Sequence, residues 1–291
     1  MGHHKCHPVE ADMPFKTITT VLCNMDADRH ALDAAVSLAR REEGHLDILC
    51  LGLDRTQPGF YYAGTNAMAL QDNLQQAQED SRALEAQVSE YLANETVPWV
   101  ANPLTAQMAG LTPQLAHFLR FSDVVVLPRP YGPGRGHEHE EILEAALFSS
   151  HVPVLVMPDQ ADLPDQVSRV VVAWNESNEA LGAVRSALPV LQKADMVDIT
   201  VIDPPQHGPD RSDPGGSLCQ MLVRHGVHAE VSVLAKTMPR ISDVLCRHVR
   251  DKDADLLVMG AYGHSRFRES ILGGATRHML ELAELPVLMA H

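Results

Sequence analysis

The sequence repeats one series of strand-like and helix-like segments along its length. β-Branched runs occur at residues 16–22 (KTITTVL) and 168–173 (SRVVVA), and a polar loop and a helical apolar pattern follow each run. Runs of Val, Ile and Thr without polar alternation are typical of strands buried on both faces. The two series are offset by about 150 residues, which predicts two copies of one arrangement.

Further strand patterns follow at matching places in the two halves. At the ends of the halves the offset falls to about 132 residues, so the first half carries about 18 extra residues. We assign them to a long polar helical pattern at residues 71–92. Alternating strands and helices predict an α/β fold with parallel sheets covered on both faces. The matched strand patterns are 46–53 with 197–203, 123–127 with 255–259, and 152–157 with 285–289.

Four segments describe the expected organisation of the chain. Residues 1–13 are a flexible tail, and 158–166 (PDQADLPDQ) are a linker between domains at 14–157 and 167–291. Each domain is expected to be a five-stranded parallel sheet. Such sheets bind ligands outside the carboxyl ends of their strands, where the strand order reverses. A site is therefore expected after the first and fourth strands.

A glycine-rich segment follows the fourth strand pattern of the second half. Gly260 and Gly263 are separated by two residues, and nine more residues lead to the pair Gly273 and Gly274, which opens a helical pattern. Glycines let the backbone approach a ligand, and a helix N-terminus offers unpaired N–H groups and a partial positive charge. The spacing favours a phosphate site over a simple turn. The expected face of the helix is Ala275, Met279 and Leu282.

This spacing resembles the signature of the universal stress protein family, G-x2-G-x9-G followed by Ser, Thr or a small residue. The resemblance covers both halves as a tandem pair, but the signature stands only in the second half. It implies a Rossmann-like, adenine-nucleotide α-hydrolase-like fold. It also implies ATP or another adenine nucleotide as the ligand, with or without Mg²⁺.

The loop and the resemblance together give the candidate binding residues of the second half. Asn175 stands where the family has Asp, and Gly274 stands where Ser or Thr is usual. Trp174 either stacks near the base or fills the edge of the sheet. The full set is Ala173, Trp174, Asn175, Val201, Gly260, Gly263, His264, Ser265, Arg266, Gly273, Gly274, Ala275 and Thr276.

The matching segment of the first half lacks the signature. Pro128 stands at the place of Gly260, and Tyr131 at the place of Gly263. Proline removes a backbone N–H donor, and Glu138 and Glu140 would repel a phosphate. The sequence predicts that only the second half binds nucleotide.

No residue pattern typical of catalysis or of a metal centre is found. GxSxG, HExxH and the Walker P-loop are absent, so we assign no catalytic and no metal-binding residues. His137 and His139 are interpreted as exposed side chains of a polar loop. In the tail, His3, His4, Cys6 and His7 are read as frayed chain rather than as metal ligands.

Composition limits the class of partner. Lys plus Arg number 23 against 38 Asp plus Glu, a formal net charge of −15, which disfavours nucleic acid and anionic membranes. Five scattered cysteines without a CxxC pair, and an N-terminus without an apolar stretch, favour the cytoplasm.

The leading hypothesis is a homodimeric, stress-linked sensor or regulator that binds an adenine nucleotide in its second half, with weak or no catalysis. One alternative is a slow ATP hydrolase that uses the same loop. The other is a ligand-free scaffold that dimerises through the strands at residues 152–157 and 285–289.

Overall fold

The computed structural model describes residues 15–54, 67–204, 213–261 and 274–291, without side-chain detail for 67–70. Strands and helices alternate in the first half, as the sequence predicts. Its elements are β1 (Thr17–Leu22), α1 (Met25–Arg41), β2 (His45–Asp54), α2 (Ala67–Tyr91), β3 (Trp99–Gln107), α3 (Leu111–Leu119), β4 (Val124–Pro128), α4 (His137–Glu144) and β5 (Val154–Met157).

The second half repeats this order. The 25 residues of α2 correspond to only 9 in its counterpart α6, so the extra length of the first half lies where the sequence predicts it. The elements are β6 (Arg169–Trp174), α5 (Asn178–Lys193), β7 (Met196–Ile202), α6 (Gly216–Arg224), β8 (Ala229–Leu234), α7 (Ile241–Asp251), β9 (Leu256–Gly260), α8 (Gly274–Leu282) and β10 (Val287–Ala290).

The described strands form one sheet in the order β3-β2-β1-β4-β5-β10-β9-β6-β7-β8. Each half contributes five parallel strands, which confirms the predicted fold class. The halves meet where β10 pairs antiparallel with β5, with Leu288 opposite Leu155. The scaffold alternative is wrong in its choice of edges, because the two final strands pair with each other within one chain.

The core consists of two layers that continue from one half to the other. Helices α1, α2, α5 and α6 cover one face of the sheet, and their buried side chains include Leu32, Val88 and Leu191. Helices α3, α4, α7 and α8 cover the other face with side chains such as Leu115 and Met279. Both faces of the central strands are buried, which explains why their sequences are uniformly apolar.

One hydrogen-bond motif occurs in both halves. The Asp123 carboxylate accepts the backbone N–H groups of Lys16 and Thr17 at 2.8 Å. The Asp255 carboxylate accepts those of Ser168 and Arg169 at the same distance. Each aspartate therefore fixes the start of its half's first strand beside the fourth strand.

Among the described residues, no helix combines the length and the apolar character needed to cross a membrane.

Candidate functional site

The reversal of strand order in the second half lies between β6 and β9, which are parallel neighbours. Ala173 lies opposite Met259 in this pairing. The chain leaves β6 into the loop that begins at Asn175, and it leaves β9 into the loop that begins at Ala261. The structure thus places side by side the first residues of the two loops in which the sequence predicts the site.

The strand residues of the predicted site are part of the sheet and its core. Trp174 lies opposite Val201, which is 4% exposed. The Trp174 ring packs against the same core cluster as α1 and α5, and Ala173 packs on the opposite face. These contacts favour the sheet-filling alternative for Trp174.

The loop after β6 is shaped by side-chain caps. Oδ1 of the exposed Asn175 accepts the Ser177 backbone N–H at 3.2 Å, and Ser177 Oγ accepts the Ala180 N–H at 3.1 Å. Ser177 is thereby the N-cap of α5. The amide of Asn175 also carries two N–H donors, which the carboxylate of an Asp lacks.

Gly260 ends β9 and touches the first turn of α5. A Cβ atom at Gly260 would lie 2.5 Å from the Ala180 backbone nitrogen and 2.7 Å from the Glu179 carbonyl carbon. The close approach of a helix to a strand therefore requires this glycine. A side chain at this position would force α5 away from β9.

The first residues of α8 differ sharply in exposure. Gly274 and Ala275 are exposed, and a Cβ atom at Gly274 would meet nothing closer than 3.9 Å. Thr276 is only 4% exposed and lies on the buried face with Met279, whereas Leu282 is 41% exposed. Of the predicted apolar face, Met279 is confirmed, whereas Ala275 and Leu282 were wrong, because the helix turns Thr276 and Leu280 towards the core instead.

Gly263, His264, Ser265, Arg266 and Gly273 lie outside the described residues. Their part in the site is therefore still a prediction from the sequence.

The corresponding place in the first half contains a buried carboxylate. Asp28, in the first turn of α1, is fully buried. Its Oδ2 accepts the backbone N–H groups of Cys23 at 2.7 Å and Asn24 at 3.0 Å. Its Oδ1 lies 3.2 Å from Nε2 of His139, 111 residues away in sequence. Asp28 thus uses N–H groups of the loop after β1 that an anionic ligand could otherwise bind.

His139 is not an exposed loop residue, so that expectation was wrong. It is 5% exposed, and its Nδ1 accepts the Gly136 N–H at 3.3 Å. The ring proton is therefore on Nε2, directed at Asp28. Sequence reasoning did not pair His139 with Asp28, because nothing local in the sequence relates the two residues.

The same cluster includes a third potential metal ligand. One atom each of Cys23, Asp28 and His139 lie within 4.8 Å of one another. A metal on Nε2 would displace the proton that joins His139 to Asp28, and the neutral ring would then turn an Nδ1–H towards the Gly136 N–H. The described contacts therefore favour a proton-bridged pair at this position.

An ion cluster closes the rest of the first-half site. The Arg135 side chain is buried, and it donates to the Ala27 carbonyl at 3.1 Å and to Asp159 of the linker at 2.6 Å. Arg129 also donates to Asp159, from Nε at 3.0 Å. Burial opposes ionisation of Asp159, but the two guanidinium groups outweigh it and lower its pKa. Gly134, with φ +77°, provides a left-handed turn just before Arg135.

Two glutamates of α4 are partly buried. Burial, followed by repulsion from Glu140, raises the pKa of Glu144 to about 7. Burial likewise raises the pKa of Glu141. Burial thus favours the protonated, uncharged form of both carboxyl groups.

A separate polar network lies near the opposite, amino-terminal edge of the second half. Asp198 of β7 accepts from Thr200 and Ser232 and contacts His248 and Lys252. Burial opposes its ionisation, but these partners outweigh it and lower its pKa to about 2. The adjoining cavity measures about 290 Å³. These partners join β7, β8 and the end of α7, so the network has a role in packing.

Comparison with known proteins gives a family match for the second half. Residues 166–291 match the model of the Universal stress protein family. The universal stress protein Slr1230 of Synechocystis sp. is 26% identical over 147 residues, 50% of this chain and 49% of that protein. The chain thus matches about half the length of this curated relative. The half that matches the family model is the half with the full glycine signature.

Solved structures extend the similarity of fold to both halves. A universal stress protein from Archaeoglobus fulgidus DSM 4304 has a TM-score of 0.68 at 14% identity, covering 94% of this chain and 95% of that chain. The functionally unknown protein PA1789 from Pseudomonas aeruginosa PAO1 has a TM-score of 0.54 at 15% identity, covering 96% and 93%. Residues 166–291 therefore match a Universal stress protein domain, and the chain as a whole shares the tandem fold of these solved structures.

Proposed function

We propose that the second half binds ATP or a related adenine nucleotide and that the protein acts as a stress-linked sensor or regulator. The observation that carries the proposal is the glycine series from Gly260 to Gly274, which joins the end of β9 to the start of α8. Gly260, the first residue of the series, ends β9 beside the reversal of strand order, where α/β sheets bind ligands. The exposed N-terminus of α8 offers N–H groups and a partial positive charge for a phosphate.

The proposal gives the first half no nucleotide. Its support is the closure of the first-half site by Asp28, His139 and the Arg135–Asp159 pair. The domain boundaries at 14–157 and 167–291 and the cytoplasmic location belong to the same proposal, as does a homodimer. Since β5 and β10 pair within the chain, a second copy would have to bind another surface.

The test is calorimetric titration of the full chain with ATP, with mass spectrometry of any small molecule that co-purifies. We expect one nucleotide per chain. Two per chain would contradict the silent first half, and failure to bind ATP, ADP or AMP would contradict the proposal as a whole.

A charge at Gly274 tests where the ligand binds. A side chain fits there without a clash, so Gly274→Glu should leave the fold intact and place a negative charge at the N-terminus of α8. We expect ATP affinity to fall by more than about tenfold, because the charge opposes the phosphates. Gly274→Gln is the matched neutral control. Equal affinity in the two variants would place the nucleotide elsewhere.

A further inference from the structure

We propose that Tyr131 and Phe148 of the first half are positioning residues that hold the two ends of the second-half glycine loop. The predicted effect on ATP affinity rests on the proposed function, whereas the predicted effect on amide hydrogen exchange does not. The loop begins after Ala261 and ends at α8. Tyr131 contacts α8 directly, and Phe148 acts on Ala261 through His291.

The first contact fixes the start of the loop. Ala261 is fully buried, and its N–H donates to the Ala290 carbonyl at 2.8 Å. Its own carbonyl lies 2.9 Å from Nδ1 of His291. The His291 ring meets the Phe148 ring edge to face, with centroids 4.6 Å apart and an interplanar angle of 80°. Phe148 therefore supports the group that bonds to the backbone at the start of the loop.

The second contact fixes the end of the loop. The guanidinium carbon of Arg277, in the first turns of α8, lies 4.8 Å from the centroid of the Tyr131 ring. This distance is typical of a cation–π contact. Arg277 also donates to Glu281 at 2.9 Å, one turn along the same helix. Tyr131 thus contacts the helix whose N-terminus is proposed to bind phosphate.

The position of Tyr131 in the repeat gives this contact its meaning. Tyr131 stands where the second half has Gly263. The residue that interrupts the glycine pattern of the first half is therefore also the one whose ring contacts Arg277 of α8. Phe148 lies in the π-helical turn Ala145–Ser149 that follows α4. Both aromatic residues come from the segment between β4 and β5, whose counterpart in the second half contains the glycine loop and α8.

Holding the ends of a loop lowers the conformational entropy that ligand binding must remove. Loss of either ring should therefore loosen the backbone at Ala261 or in α8 and lower the affinity for ATP. This would give the first half a role in ligand binding without a ligand of its own.

The experiment is amide hydrogen exchange on the full chain without ligand. In Tyr131→Ala we expect exchange in α8 to rise by about tenfold or more, and in Phe148→Ala we expect the same at Ala261. Exchange in β6 and β7 should stay at the wild-type rate.

Phe121→Ala is the control, since Phe121 is a first-half aromatic residue that is 70% exposed. Tyr131→Phe retains the ring and should restore wild-type exchange. Phe148→Leu replaces Phe148→Ala if that variant does not fold, because Leu retains apolar volume without the aromatic edge.

ATP titration of the same variants completes the test. We expect affinity to fall about three- to tenfold in the alanine variants, with wild-type affinity in Phe121→Ala and Tyr131→Phe. Unchanged exchange at both ends of the loop would overturn the inference whether or not ATP binds. Faster exchange with wild-type ATP affinity would also overturn it. If exchange rises and the wild-type protein binds no nucleotide, the structural coupling stands and the proposed function fails.

Discussion

The two reversals of strand order in this sheet share a backbone frame and differ in what fills them. In the first half Asp28 accepts the N–H groups of the loop after β1 and pairs with His139. In the second half Ser177 caps the helix and Ala180 packs against Gly260 instead. An α/β sheet provides a binding edge wherever its order reverses, but the side chains decide whether that edge stays open to a ligand.

Glycine serves different purposes at the two places. Gly134 turns the first-half loop so that Arg135 can cover the first turn of α1. Gly260 lets α5 approach β9, and Gly274 leaves open space at the start of α8. A glycine-rich loop without the G-x2-G-x9-G spacing is therefore insufficient to identify a ligand site, since the same freedom can bring in a side chain of the chain itself.

The largest expected effect is the loss of the first-half closure in Asp28→Ala. The substitution leaves the Cys23 and Asn24 N–H groups and His139 without their acceptor, and should lower the free energy of unfolding by about 4 kcal/mol. Urea unfolding measures it. Asp26→Ala is the control, because Asp26 is exposed in the same helical turn and should cost about 0.5 kcal/mol. Equal effects would mean that the buried network does not stabilise the first half.

The next effect tests the packing role of Gly260. Gly260→Ala should lower the free energy of unfolding by about 3 kcal/mol, because its Cβ would lie 2.5 Å from the Ala180 nitrogen. Gly274→Ala meets no such contact and should change stability by less than about 1 kcal/mol. Denaturant midpoints of the two variants distinguish them. A stable Gly260→Ala protein would show that α5 can move away from β9.

A smaller, pH-dependent effect should come from Glu144 in the first half. Its pKa is raised to about 7 in the folded state, so its favourable contribution is complete below about pH 4.5 and is lost as the pH rises through 7. Glu144→Gln should therefore raise the free energy of unfolding relative to wild type by about 2 kcal/mol at pH 8. At pH 4 the two proteins should be nearly equal. A difference that does not depend on pH would rule out this titration as the cause.

The smallest expected effect is a gain of affinity in the second half. Gly274→Ser adds the hydroxyl that the family usually has at this position, and the site is open enough to accept it. We expect ATP to bind about two- to fivefold more tightly, because one hydrogen bond contributes about 1 kcal/mol or less. Gly274→Ala is the control without a hydroxyl. A gain in both variants would indicate helix stabilisation rather than a new contact with the ligand.

Four of the five strands in each half were located from the sequence because their cause is local. Runs such as TITTVL in β1 and RVVVAW in β6 are buried on both faces, and their apolar composition reports this without reference to the rest of the chain. The alternation of strands and helices then predicts that the strands within each half run parallel. Exposure around α8 was harder to predict, because a rotation of one residue exchanges Ala275 and Thr276 between solvent and core.

The sequence by itself determined that the chain is a tandem α/β protein with a full glycine signature in one half. Each of these features depends on neighbouring residues and on their periodicity. Only the tertiary structure decided that β5 pairs with β10, that His139 reaches Asp28, and that Gly260 must admit the first turn of α5. These contacts join residues about 80 to 130 positions apart, and no local pattern encodes such a pairing, since packing of the whole sheet brings the partners together.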